Sequence, residues 1–250
     1  MPGMDLRICH LYPDLLNLYG DRGNLMALVN RARWRGIDVR VDEIDLGDSL
    51  RAGAHDLYFI GGGEDRQQVL AAPDLRGSKR EALGQAVARG AVVLAVCGGY
   101  QLLGHYYRPA EGDDLIGIGL LDITTEHPGS HGRRLIGNIV IRSPLAGGQT
   151  LVGFENHGGR TRLGKAVRPL GTVLTGFGNN GEDRGEGAVS GTVVGTYIHG
   201  PLLPKNPALT DYLLGLALRP RYGEVFLQTL DDRLELAAHA AALTHAASPV

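Results

Sequence analysis

The chain has 250 residues, 43% apolar and 21% charged, with a formal net charge of −2. This is the make-up of a folded protein with a sizeable core, and near-neutrality without a basic cluster argues against a nucleic-acid partner. Two cysteines are too few for a disulfide framework, no signal-peptide pattern opens the chain and no apolar stretch has membrane-spanning length, so a cytoplasmic location is expected.

In chain order, Leu6 to Leu11 reads as a strand, followed by the loop Tyr12-Pro13-Asp14 and a polar turn over Gly20-Asp21-Arg22-Gly23-Asn24. Leu25, Leu28, Val29 and Ala32 share one face of a helix from Leu25 to Trp34, with Asn24 as its cap. Ile37 to Ile44 alternates apolar and polar residues, and Asp56 to Ile60 is a short apolar strand that stops at Gly61-Gly62-Gly63. Ser78 to Ala88 reads as a helix with a capping-box spacing from Ser78 to Glu81. The unbroken apolar run Ala91 to Val96 is a strand buried on both faces. Strands alternating with helices predict an α/β fold, a doubly wound and mostly parallel sheet with flanking helices.

After Leu115 the texture changes to short β-like segments between glycine-rich turns. These are Ile116 to Leu121, Leu135 to Ile141, Val152-Gly153-Phe154, Val173 to Phe177 and Val193 to Ile198, with a hairpin signal at Gly178 to Asp183. This predicts a β-rich C-terminal half, closed by an alanine-rich, charged helix over Leu230 to Ala247. No repeat or low-complexity linker divides the chain, so residues 1–250 read as a single domain.

Three features carry chemistry. The strand ending at Val96 runs through Cys97-Gly98-Gly99 into the helical start Tyr100-Gln101-Leu102-Leu103. Such a corner lifts its side chain out of the sheet, and a cysteine at a helix start favours the nucleophilic thiolate; the alternative for Cys97 is a small buried thiol. Gly61-Gly62-Gly63 can turn backbone N–H groups toward one point, as an oxyanion hole requires, with Gly98 as another donor; a flexible turn would look the same. Gly195-Thr196-Tyr197-Ile198-His199-Gly200-Pro201 ends in a histidine suited to deprotonate a thiol. Cys9 and His10 adjoin on opposite faces of one strand without further ligands nearby, and no metal site is expected there.

Val96-Cys97-Gly98-Gly99-Tyr100-Gln101-Leu102-Leu103-Gly104, the glycine triplet and the His199 run together resemble the class I, triad-type glutamine amidotransferases. They are most similar to the cobyric acid synthase-like branch, in which a glycine or other small residue follows the histidine in place of Pro-Glu. Leu11 to Asn24 and Gly153 to Thr161 narrow the resemblance to glutaminase subunits that work beside a Mur-ligase-like partner in peptidoglycan biosynthesis; it covers essentially the whole chain.

The resemblance implies a mechanism. Cys97 gives its proton to His199 and attacks the side-chain amide of glutamine, while N–H groups of Gly62 or Gly63 and of Gly98 hold the oxyanion. A γ-glutamyl thioester forms and is hydrolysed, and ammonia passes to the partner for amidation of D-isoglutamate in the stem peptide of lipid II. ATP and magnesium belong to that partner, and no cofactor or metal is expected in this chain. Gln101 stands beside the corner as a substrate-binding candidate. Arg133 and Arg134 lie where the subfamily carries an arginine for the substrate, and Arg134 is favoured because it adjoins the strand-like Leu135-Ile136; a solvated surface pair is the alternative. The implied assembly is a cytoplasmic heterodimer working near the inner face of the membrane.

The larger family places an acid two residues beyond the histidine, where this chain has Pro201. That leaves a Cys-His dyad, implies an acid from the partner and makes the isolated chain a poor glutaminase. Glu155-Asn156-His157-Gly158-Gly159 reads first as a polar hairpin and second as pocket or interface. Asp14, Asn17, Asp21 and Asn24 form a partner surface, or satisfy a long loop and cap a helix. Two other functions remain open. One is a glutaminase of a cobyric acid-type synthase, although no ATP-binding Gly-x-x-x-x-Gly-Lys-Ser/Thr motif occurs; the other is a catalytically silent binding module of the same fold.

Overall fold

The computed structural model describes residues 3–129 and 132–247; the single-domain reading of 1–250 extends past them at both ends. The first half alternates β1 (Asp5–Leu11), α1 (Arg22–Arg33), β2 (Asp38–Ile44), β3 (Leu57–Ile60), α2 (Asp65–Asp74), α3 (Arg80–Ala88), β4 (Val92–Val96) and the short α4 (Gly98–Leu102). The second half contributes β5 (Tyr106–Arg108), β6 (Leu115–Ile116), β7 (Ile123–Glu126), β8 (Leu135–Arg142), β9 (Thr150–His157), β10 (Arg160–Leu163) and β11 (Gly171–Thr175). It ends with β12 (Gly185–Glu186), β13 (Ala188–Ser190), β14 (Val193–Thr196), α5 (Pro207–Tyr222) and α6 (Arg233–Ala247).

The main sheet has the order β13-β14-β4-β3-β1-β2, parallel except for the antiparallel edge strand β13. Every residue of β3 and β4 is buried, which is why these strands read as continuous apolar runs. The strand order reverses at β1, with β2 on one side and β3, β4 and β14 on the other. Ligands of open α/β sheets bind at such switch points, beyond the carboxyl ends of the strands. Here the loops after β1, β3, β4 and β14 converge.

The β-rich half is two four-stranded sheets, β10-β7-β5-β6 and the antiparallel β12-β11-β8-β9. The second is joined to the main sheet through His199, whose backbone exchanges hydrogen bonds with Phe154 at 2.7 and 3.1 Å.

Several local expectations are corrected. The first helix starts at Arg22, so Asn24 lies buried in its first turn and accepts from Leu203 N–H at 2.8 Å instead of capping. The Ser78 capping box is unused: the chain makes a wide turn over Leu75–Lys79 and α3 begins at Arg80. Of the expected strand Ile116 to Leu121 only Ile116 lies in a strand, the two-residue β6 (Leu115–Ile116). The helices α2 and α5 fall where the sequence pattern places no element. α2 is polar and contains Pro73, and long-range packing outweighs its weak local signal. α6 is tied down by Thr150 Oγ1 to His239 Nε2 (2.9 Å) and by Arg31 to Asp232 (2.5 Å), while Leu234 stays 84% exposed.

Candidate active site

The hydrophobic strand β4 drives straight into α4, and the corner falls on Cys97. Its backbone takes φ +47° and ψ −105°, a conformation that costs a non-glycine residue of order 1–3 kcal/mol. The corner is held by Cys97 N–H donating to Thr196 O (2.8 Å) and Gly99 N–H donating to Gly61 O (3.1 Å). The thiol lines a cavity of about 460 Å³ shared with Tyr19, Gly63, Gln68, Gln101, Arg134 and His157.

Two neighbours must be glycine for this packing. A Cβ on Gly62 would sit 2.8 Å from His199 Cε1, 3.1 Å from Asp21 Oδ2 and 3.2 Å from Cys97 Cβ. A Cβ on Gly98 would sit 2.9 Å from both the nitrogen and the oxygen of Gly63. Gly62 and Gly98 are therefore sites of close approach at Cys97. Gly98 opens α4, so its N–H has no acceptor within the helix. Gly62 is a correction. Its N–H donates to Asp21 Oδ2 at 2.7 Å, fully buried, and is not available to an oxyanion. Gly63 and Gly98, packed against each other, remain the oxyanion candidates.

His199 is fully buried. The segment leading to it is anchored by Glu186, which accepts from Tyr197 N–H (2.7 Å) and Thr196 Oγ1 (3.0 Å). Burial pushes the Glu186 carboxyl up to about 8. The expectation that the chain lacks an acid for His199 does not hold. His199 Nδ1 lies 3.1 Å from Asp21 Oδ1, and both side chains are fully buried. A carboxylate only accepts, so Nδ1 carries the proton and Nε2 is the basic nitrogen. Nε2 makes no well-formed hydrogen bond of its own. Burial pushes the imidazole down, but the nearby Cys97 sulfur and Asp21 outweigh it and raise His199 to about 10. The arrangement suits a thiolate-imidazolium pair.

The remaining candidates separate. Arg134 lines the cavity and is oriented by Asn156, through Nε to Oδ1 (2.9 Å) and a second bond to the carbonyl (3.1 Å). Arg133 is not among the cavity residues; its carbonyl accepts from Arg160. Gln101 is buried, accepting from Gln68 Nε2 (2.9 Å) and donating to Tyr197 OH (3.1 Å), so part of its hydrogen-bonding capacity holds the wall together. Asn156 and His157 lie at the end of β9 and line the cavity. The hairpin reading of that segment is corrected: β9 pairs with β8, while β10, which follows Gly159, pairs with β7 in another sheet, so Gly158 and Gly159 turn the chain between two sheets. His157 stacks on Tyr197 with ring centroids 3.7 Å apart, and burial holds its pKa below the usual value. Asn156 also donates to Tyr19 OH (2.6 Å), and the Tyr19 ring stands edge-on to His199 at 5.1 Å.

Residues 7–207 match the CobB/CobQ-like glutamine amidotransferase domain. The chain belongs to this family. Among curated relatives, it is 44% identical to the subunit GatD of the glutamine-hydrolysing lipid II isoglutaminyl synthase of Staphylococcus aureus, over 94% of this chain and 93% of that one. It is 42% identical to the corresponding subunit of Streptococcus pneumoniae, over 88% and 83%. The cobyric acid synthase of Pelotomaculum thermopropionicum is 37% identical over 73% of this chain, which spans only 36% of that larger protein. A chain in the structure of PurLQS from Thermotoga maritima shares the fold with TM-score 0.59 at 19% identity, covering 84% of this chain and 98% of that one. Among the described residues of this family member, no helix is long and apolar enough to cross a membrane.

Proposed function

We propose that this chain is the glutamine-hydrolysing subunit of a lipid II isoglutaminyl synthase. The observation that carries the reading is the 44% identity to the Staphylococcus aureus subunit over nearly the full length of both chains, together with a cysteine corner that lines a cavity and a fully buried histidine in its electrostatic reach. Glutamine enters that cavity with its α-carboxylate toward the Arg134 guanidinium, whose fork suits a carboxylate. Cys97 Sγ, deprotonated by His199 Nε2, attacks the side-chain amide carbon, and the oxygen takes up negative charge against the N–H groups of Gly63 and Gly98. The C–N bond breaks as imidazolium returns its proton to the leaving nitrogen, releasing ammonia and a γ-glutamyl thioester. Water, deprotonated by the same imidazole, then releases glutamate and the thiol.

The acceptor side belongs to the partner, a Mur-ligase-like subunit of the MurT type. That partner binds ATP and magnesium and uses the ammonia to amidate the α-carboxylate of D-isoglutamate. The test is glutamate release from glutamine by this chain co-expressed with such a subunit, with and without Cys97→Ala. Cysteine-dependent glutamate release with ATP-dependent amidation of lipid II is expected. Glutamate release unchanged by Cys97→Ala would overturn the assignment.

A further inference from the structure

The geometry points to Asp21 as the positioning residue of this centre: one carboxylate from the loop after β1 holds both the general base, through His199 Nδ1, and the oxyanion loop, through Gly62 N–H. This inference rests on the glutaminase reading above and deepens it. The two oxygens have separate duties. Oδ1 fixes the His199 tautomer that leaves Nε2 free for the thiol, and Oδ2 fixes the residue immediately before Gly63. Base and oxyanion donor, contributed by different strand ends of the main sheet, are thereby locked in one register.

The local sequence supports the assignment through an unused opportunity. Asp21 occupies the N-cap position of the 12-residue α1, where an aspartate ordinarily accepts from its own helix. It makes no such cap bond here. Asn17 Oδ1 takes the Arg22 N–H instead, at 3.0 Å. Asp21 is fully buried, and both its oxygens are spent on groups 178 and 41 residues away in sequence. A side chain diverted from its own helix to His199 and Gly62 is a local rule given up for a site. The switch point explains how it gets there: the loop after β1 lies directly beside the loop after β3 because their strands are neighbours.

The other groups near His199 do not compete for this role. Tyr19 presents its ring edge, Cys97 faces the opposite duty, and Lys205 Nζ is turned to the Gly200 carbonyl at 2.6 Å. Pro201, at the position where the larger family carries its acid, packs against Gly23 in the turn of α1 that follows Asp21. An acid for His199 is thus supplied by this chain's own fold.

The experiment uses Asp21→Asn and Asp21→Ala, in the full chain alone and in its complex. Asn can still accept from Gly62 N–H but presents an amide to His199 Nδ1, which forces the proton onto Nε2 and blocks the base. In the complex, Asp21→Asn is expected to lower kcat for glutamine hydrolysis roughly 10²–10⁴-fold with KM within about threefold. Asp21→Ala, which also frees the oxyanion loop, should lower it at least as far. The second readout needs neither glutamine turnover nor the partner: the rate of Cys97 alkylation by iodoacetamide against pH, with circular dichroism to verify the fold. Loss of Asp21 removes a charge that keeps the imidazolium in place, so alkylation of the isolated variant should fall about tenfold or more at pH 6–7 and approach the parent rate at pH 10. A carboxylate that only braces the loop would leave the shape of that profile unchanged, and this result would overturn the inference. So would an Asp21→Asn complex with kcat within threefold of the parent, which would mean that the partner supplies the acid. If the parent complex hydrolyses no glutamine, the glutaminase reading fails, while the alkylation profile still decides the part played by Asp21.

Discussion

The chain holds two pairs of cysteine and histidine, Cys9 with His10 and Cys97 with His199, and only one pair is equipped for chemistry. Both pairs are buried. Cys9 lies within β1, where burial pushes its thiol up to about 12. Neither ring nitrogen of His10 beside it makes a hydrogen bond, although Nδ1 lies 4.0 Å from Glu43 Oε1, and burial, helped by the Arg22 charge, pushes its imidazole down to about 4. At the other pair the backbone is bent to φ +47°, Cys97 lines a cavity, and the Cys97 sulfur together with Asp21 outweighs the penalty that burial puts on the imidazolium. Residue type and burial are nearly the same. What differs is the strained corner and a second buried charge, the two features on which the proposed chemistry at Cys97 rests.

That contrast can be broken first by labelling. Iodoacetamide applied to the native chain at pH 7, read by peptide mass spectrometry, should modify Cys97 about 10²-fold faster than Cys9. Comparable rates would erase the distinction. Cys9→Ala should leave glutamine hydrolysis within about twofold of the parent, because the thiol is outside the cavity and acts only in packing.

The two arginines sharpen the comparison at the substrate end. Arg134→Ala should raise KM for glutamine roughly 10–100-fold with kcat little changed, the cost of one charged hydrogen-bonding group. Arg133→Ala, outside the cavity, should move neither constant by more than about twofold. The opposite ranking would show that the cavity binds glutamine in another orientation.

The inert histidine makes the smallest prediction, and it is about stability. His10 is held near 4 in the fold against 6.5 when free, so between those values the unfolded chain takes up a proton that the folded chain refuses. Stability is therefore retained above pH 6.5 and lost as pH falls toward 4, by roughly 3 kcal/mol at about 1.4 kcal/mol per pH unit. His10→Phe should flatten urea-measured stability over this window while changing it little at pH 7. An unchanged slope would mean that the buried imidazole does not titrate as described.

The sequence by itself determined the strand-to-helix corner at Cys97, the run that ends at His199, the alternating strands and helices and the family. Each is written in local pattern: an apolar run that stops at Cys97, a glycine pair that lets the chain turn, and a short motif ending at His199. It also ranked Arg134 above Arg133, because adjacency to a strand is a local property. Only the tertiary structure decided which acid serves the base. Asp21 is 178 residues from His199, and in the sequence it looked like one of four polar residues in a loop. Strand order brings it there, with β1 beside β3 and β3 beside β4, and no local periodicity encodes that order. The same long-range geometry took Gly62 out of the oxyanion hole by turning its N–H toward Asp21. Local pattern singles out Cys97 and the His199 run because covalent spacing builds the corner; the company they keep depends on which strands become neighbours, and that is a property of the folded sheet.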